Sequence, residues 1–266
     1  MPFTPSHVAA ALPFLRTPLL PTAVVMGTIA PDIPYYLPLP VPRELTHSLL
    51  GLVTVDLALA VVGAALWWLV LRAPIIDLLP RAIGTRIPAV RRWDWRPPSW
   101  AWPLTAVVLL LSALVGAATH LLWDSFTHPG WVADHLAVLR IQLGPLLVEK
   151  WLQHASTVAG LVILAAWAVI RLRAATADPD RWCQFGTRAR VTSWIVIAAA
   201  GLAGGVIPWA HGILAGVAPF DPGLVFLVAR FGIGIGGAAV VVVVCCWYLV
   251  PRIRRPHPES RSTLSA

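Results

Sequence analysis

Five apolar runs, each close to the length that crosses a bilayer, leave this chain few folds to choose from. They cover residues 49–71, 102–124, 154–170, 191–209 and 223–250. A spanning helix needs about 20 predominantly apolar residues. In hydrocarbon every backbone N–H and C=O must be satisfied internally, which favours helices. The chain is therefore expected to be all-α: a polytopic membrane helical bundle of about five full transmembrane helices. Composition agrees. Only 12% of residues are charged and 58% are hydrophobic, with a mean hydropathy of +0.76, whereas a soluble domain carries roughly 25% charged residues. The fourteen tryptophans suit the boundary between headgroups and hydrocarbon.

The net charge of +8 would point to nucleic acid in a soluble protein. Here its placement matters more. Six arginines (72, 81, 86, 91, 92 and 96) lie in the loop 72–100, five in the loop 171–190 and four in the tail 251–266. Basic loops stay on the cytoplasmic side, so both loops and the disordered basic tail are expected there. The arginines read as topology and attraction to anionic membrane lipids, with no nucleic-acid partner. The loop 125–154, with a short amphipathic helix expected over 134–147, then faces outward. Residues 1–250 read as one integral membrane domain.

The N-terminal segment is apolar but broken. Pro18 and Pro21 divide residues 1–31 into two pieces, each too short to span. One kinked span and a re-entrant helical hairpin are the alternatives, and the prolines favour the hairpin. It lacks the basic start and unbroken apolar core of a cleavable signal. A proline- and tyrosine-rich loop follows, and residues 1–48 are read as hairpin plus loop.

Chemistry concentrates at one stretch, Thr119-His120-Leu121-Leu122-Trp123-Asp124-Ser125-Phe126-Thr127-His128. Residues i and i+4 share a helix face, so His120 and Asp124 can reach one ion, and His128 continues the face. The arginine topology brings the start of the first span, the end of the second and the start of the third to the outer side. That side carries His47, His120, Asp124, His128 and His154. A hairpin adds His7 and Asp32. Histidine and carboxylate donors suit zinc, manganese or iron. The expected metal set is His7, Asp32, His47, His120 and Asp124, with His128 and His154 as candidate acid/base residues. Asp56 lies about 180° round its helix from His47. As a buried acid it needs a partner, for which Arg230 is the candidate. The three cysteines form no disulfide framework. No phosphate loop, nucleophile elbow or CxxC site is present, and Gly232, Gly234, Gly236 and Gly237 read as helix-packing residues.

Several spaced motifs together carry a resemblance: Met1-Pro-Phe-Thr-Pro-Ser-His7, Gly27-Thr-Ile-Ala-Pro-Asp32, Thr46-His-Ser-Leu-Leu-Gly51, Thr119 to His128, and Gln153-His-Ala-Ser-Thr157. The chain resembles the domain of unknown function 4184 family of bacterial integral membrane proteins, whose activity is not established. That resemblance implies a multi-pass protein of the bacterial inner membrane. More distantly, the order His, Asp, His, His-x3-Asp is similar to inner-membrane metal-dependent hydrolases and to zinc-dependent phospholipase C. By that likeness His7, Asp32, His47, His120 and Asp124 are metal ligands, with zinc the expected ion. The phospholipase continues with His-x3-Glu. Here His154 is followed at that spacing by Val158, so one or two metals are expected rather than three.

The function expected is thus an outward-facing metal-dependent hydrolase acting on phosphoesters or lipid headgroups. The alternatives are a non-enzymatic membrane protein with a structural metal or polar cluster, and a transporter of metal or small solutes. An enzyme needs an open coordination position, whereas a structural site is closed by protein ligands.

Overall fold

A computed structural model describes residues 4–37, 39–88, 101–178 and 183–250. The tail 251–266 and the arginines at 91, 92, 96 and 181 lie outside the described residues. Among the described residues the chain is all-α apart from a two-stranded hairpin pairing Gln142–Leu143 with Leu146–Leu147. Among the described residues, five helices are long and apolar enough to cross a membrane: α1 (Leu49–Leu78), α2 (Trp102–Thr127), α3 (Val148–Ala174), α4 (Thr187–Leu214) and α5 (Pro222–Leu249). All but α5 extend past the apolar runs at one end or both. Backbone hydrogen bonding does not stop at the first charged side chain, and α1 and α4 continue even through Pro74 and Pro208. The chain divides into two compact units, one formed by residues 1–72 and 86–177, the other by 73–85 and 178–266.

In the first unit the N-terminal segment is a helical hairpin. One arm is a turn of α-helix, Thr4–His7, continuing as a 3-10 helix, Val8–Arg16. The other is Pro21–Ile29, ending in a 3-10 turn, Ala30–Asp32. Pro13 lies inside the first arm; it cannot donate to an i−4 carbonyl, which fits the tighter 3-10 winding. The bend at 17–20 keeps its polar groups bonded. Thr17 donates to the Phe14 carbonyl (2.8 Å). The Leu20 N–H donates to Ser112 Oγ in the middle of α2 (2.8 Å). Non-helical backbone shielded from water is tolerated only when satisfied in this way.

The second arm lies against α2 at Gly27 and Gly116. A Cβ on Gly27 would meet the Ala113 carbonyl at 2.3 Å, and one on Gly116 would meet the Val24 carbonyl at 2.1 Å. Only paired glycines permit that approach. The first arm packs on α3. Two π-helical turns, Leu52–Asp56 and Trp67–Leu71, interrupt α1. Asp56 ends the first of them and is fully buried, with neither carboxylate oxygen hydrogen-bonded. Arg230 belongs to the other unit.

The loop after α2 differs from the expected amphipathic helix. It forms a short helix at Trp131–His135, a 3-10 turn at Ala137–Arg140 and the small β-hairpin. Gly144 adopts φ +61° and Pro145 follows it, a turn sequence no helix accommodates. Arg140 pairs with Asp134 and stands 3.6 Å from the buried Glu149 at the start of α3.

In the second unit, Asp77 in the last turn of α1 is the organising residue. Its Oδ2 accepts from the backbone N–H groups of Gln184 and Phe185 (2.9 Å each) and from Trp247 Nε1 (2.8 Å). Its Oδ1 takes Arg190 (3.0 Å). Helices α4 and α5 pack through small residues, with Gly232 and Gly236 against Gly201. Among the described residues, no disulfide joins any two of the three cysteines.

Candidate metal centre

The site lies in the first unit, where the base of the hairpin, the start of α1 and the end of α2 meet. Thr46-His47-Ser48 shows how local sequence sets one wall. Ser48 caps α1, its Oγ accepting from the Gly51 N–H (3.0 Å). A Cβ on Gly51 would fall 1.9 Å from the Leu45 carbonyl, so glycine lets the short helix Arg43–Thr46 fold back onto the cap. His47 stands between these helices. Its Nδ1 is 3.2 Å from the Arg43 carbonyl and 3.0 Å from Thr46 Oγ1. A carbonyl only accepts, so Nδ1 carries the proton and Nε2 points into the cluster.

His120 is held likewise. Its Nδ1 donates to the Thr28 carbonyl of the hairpin (2.8 Å), leaving Nε2 as the inward atom. Asp32 is oriented from its other side. Thr4 donates to Oδ2 (2.7 Å); with that proton committed, the Tyr36 hydroxyl 3.0 Å away must donate to Thr4. Oδ1 is left facing the histidines. His7 stacks on His120, with ring centroids 4.1 Å apart.

The inward atoms form a closed set. His47 Nε2 lies 3.6 Å from Asp32 Oδ1 and 3.5 Å from Asp124 Oδ2. His120 Nε2 lies 3.7 Å from each of the same two oxygens. His7 Nε2 is 3.4 Å from Asp124 Oδ1. None of these atoms has a hydrogen-bond partner, although all are buried. His120, Asp32, His7 and Asp124 are at most 5% exposed. In two overlapping sets, His7 with His120 and Asp124, and Asp32 with His47 and His120, the donors lie within 4.8 Å of one another.

These separations are too long for hydrogen bonds. They match the edges of a coordination polyhedron: ligands at 2.0–2.2 Å from a tetrahedral ion stand about 3.3–3.6 Å apart. Leaving such atoms orphaned would cost about 1–3 kcal/mol each, and more for charged groups. The donor set therefore fits a divalent cation.

Titration follows the same charges. Burial opposes protonation of His47, but the carboxylates of Asp124 and Asp32 outweigh it and raise its pKa from 6.5 to about 9. Burial, reinforced by the neighbouring His120, lowers His7 to about 4. Burial also lowers His128 to about 4, against the pull of Asp124.

The structure thus brings together His7, Asp32, His47, His120 and Asp124. His128 joins them at the edge, with Nδ1 3.5 Å from Asp124 Oδ2 and 3.0 Å from Thr127 Oγ1. His154 stands apart. It is exposed on α3, and the neighbouring Gln153 is the buried residue, bonded by Lys150 (3.0 Å). Sequence reasoning missed Thr4, Thr28, Tyr36 and Arg43. Thr4 and Thr28 lie within the motifs around His7 and Asp32, and Arg43 stands at the four-residue step before His47, but none of these signals names a role.

An all-α chain with five helices able to cross a membrane, and with a buried His/Asp cluster in its first unit, is a multi-pass membrane protein with a candidate metal centre. It belongs to the family described as domain of unknown function (DUF4184), whose profile matches residues 1–247. No curated protein and no solved structure matches the chain.

Proposed function

We propose that this protein is a metal-dependent hydrolase of phosphoesters, with one or two divalent cations, zinc foremost, held by Asp32, His47, His120, Asp124 and His7. The observation that carries the reading is the convergence of buried, unbonded nitrogen and oxygen atoms at 3.4–3.7 Å. Asp32 and Asp124 supply two negative charges, matching one divalent cation. Thr4, Thr28 and the Arg43 carbonyl fix the donors' orientation. Such a cation supplies Lewis acidity and activates water at neutral pH.

In hydrolysis the water oxygen joins phosphorus, the bond to the leaving alcohol breaks, and that alcohol gains a proton. His128 lies beside Asp124, and its lowered pKa leaves it neutral at pH 7. A neutral ring has no proton to give the leaving alcohol at that pH, and a pKa so far below 7 also makes it a weak base. His154 remains the candidate donor, from an exposed position. The arginine distribution supports an outward-facing site at headgroup depth. Lipid phosphoesters are then within reach.

Asp56 supports a second reading. A buried acid without a hydrogen bond, in α1 and nine residues after His47, is what a metal transporter would place along its path.

The test is elemental analysis of purified protein, followed by phosphoesterase assay. One to two divalent ions per chain are expected, with His120→Ala losing at least one. Wild-type protein without stoichiometric metal would sink the metal reading. Metal without hydrolysis, but with uptake into vesicles that Asp56→Asn abolishes, would favour transport.

A further inference from the structure

We infer that Arg43 is the specificity residue of this site and selects a phosphoryl anion; the inference rests on the cluster being a divalent-metal centre. Arg43 Nη2 lies 3.9 Å from Asp124 Oδ2, an ion-pair distance beyond hydrogen bonding. The guanidinium side chain is 39% exposed and the Asp124 carboxylate behind it 6%. Arg43 therefore stands at the open edge of a buried cluster, with its charge directed inward.

Its backbone has a separate task. The Arg43 carbonyl is within 3.2 Å of His47 Nδ1, and the His47 N–H donates to the same carbonyl (2.9 Å). One turn of helix thus fixes a cluster histidine and a cation in register. Tyr35 lies beside both, its ring 6.4 Å from that of His47.

Charge arithmetic then names the ligand class. Two carboxylates and one divalent cation sum to zero, and the neutral histidines add nothing. Among the described residues, Arg43 is the only arginine or lysine within ion-pair distance of the cluster carboxylates. With Asp124 engaged by a cation, the guanidinium is left to attract an anion. A planar fork beside a metal suits a tetrahedral phosphoryl group, with one oxygen on the metal and others on the fork. A neutral ester or amide would leave the guanidinium uncompensated. The group can come from a lipid headgroup or from a soluble phosphate.

The test uses the full chain in detergent, reconstituted with zinc, comparing wild type with Arg43→Gln and Arg43→Lys. Metal content is measured first, then binding of inorganic phosphate and of a short-chain phosphatidic acid. Full metal content in all three proteins is expected, with phosphoryl binding weakened at least about tenfold in Arg43→Gln, the scale of a lost charge-assisted bond, and less in Arg43→Lys. Loss confined to the lipid probe identifies a headgroup as the source, and loss confined to inorganic phosphate identifies a soluble ligand. Undiminished binding in Arg43→Gln overturns the inference, as does failure of wild type to bind either probe. Loss of metal in both variants also overturns it, because Arg43 would then only position Asp124. Wild-type protein that takes up no metal fails the underlying reading and this inference together, and is recognised before any phosphate is added.

Discussion

Thr4 donates a hydrogen bond to Asp32 Oδ2 across the two arms of the N-terminal hairpin (2.7 Å), while Asp32 Oδ1 faces His47 and His120. One carboxylate thereby closes the hairpin and lines the cluster. Removing the hydroxyl while keeping the volume, in Thr4→Val, leaves Oδ2 without that donor and frees the carboxylate to turn. Loss of an outer hydrogen bond of this kind costs about 10–100-fold in metal affinity. Thr4→Val should show that loss in a competition titration with a chelating dye. Thr4→Ser should retain near-wild-type affinity, and equal weakening in both would mean that packing, not the hydroxyl, matters.

The hairpin reaches the cluster only because Gly27 and Gly116 let it lie on α2. In Gly116→Leu the new Cβ would fall on the Val24 carbonyl and the rest of the side chain into the second arm. Overpacking typically costs about 1–3 kcal/mol. The expected outcome is a lower thermal midpoint in detergent together with reduced metal content, since Thr28 and Asp32 sit on the displaced arm. A fully metal-loaded Gly116→Leu protein would contradict this account of how the hairpin is seated.

Among the histidines, the geometry separates two that the arginine topology places on the same side. His120 is fully buried with its Nε2 in the cluster, and His154 is exposed on α3. His120→Ala should remove metal. His154→Ala should leave metal content unchanged and, if the ring donates a proton during turnover, lower the rate without altering metal affinity. Metal loss in His154→Ala would require its inclusion among the ligands.

Much of the fold was legible because hydrocarbon imposes a simple rule, and apolar length marks each long helix. The broken N-terminus was legible from Pro18 and Pro21. Helix ends were not, because α1 continues past Arg72 and through Pro74 to Leu78. Within the cluster, the four-residue step from His120 to Asp124 could be read directly. What orients these residues could not: Thr4 acts on Asp32 and Thr28 on His120, from 28 and 92 residues away, and no periodicity encodes such pairs. Asp77 falls, by sequence, within the basic loop 72–100. Its role is visible only once α4 and α5 bring Arg190 and Trp247 to it.

That Asp77 arrangement carries its own prediction. Four donors, one of them charged, converge on a carboxylate whose side chain is 7% exposed. Removing one partner of a buried pair strands the other, at a cost of about 3–5 kcal/mol. Asp77→Ala should lower the thermal midpoint in detergent sharply. Asp77→Asn, which keeps the shape and one acceptor oxygen, should lower it less. An unchanged midpoint in Asp77→Ala would show that the node is dispensable.

The histidine titrations make metal uptake pH-dependent in a defined direction. In protein stripped of metal, His47 has its pKa raised from 6.5 to about 9 by the two carboxylates acting against burial. Its protonated form therefore contributes stability fully below pH 6.5, and that contribution is lost as the pH rises through 9. His7 and His128, lowered to about 4, behave oppositely: their contribution is present above pH 6.5 and lost as the pH falls through 4. Near pH 7.5, His47 is the member of the three still carrying an extra proton, and a metal ion must displace it. Titrating zinc into the stripped protein at that pH should release about one proton per chain, read by calorimetry in buffers of differing ionisation enthalpy. His47→Gln should bind zinc more weakly and release none. Proton release that persists in His47→Gln would place the labile proton elsewhere in the cluster.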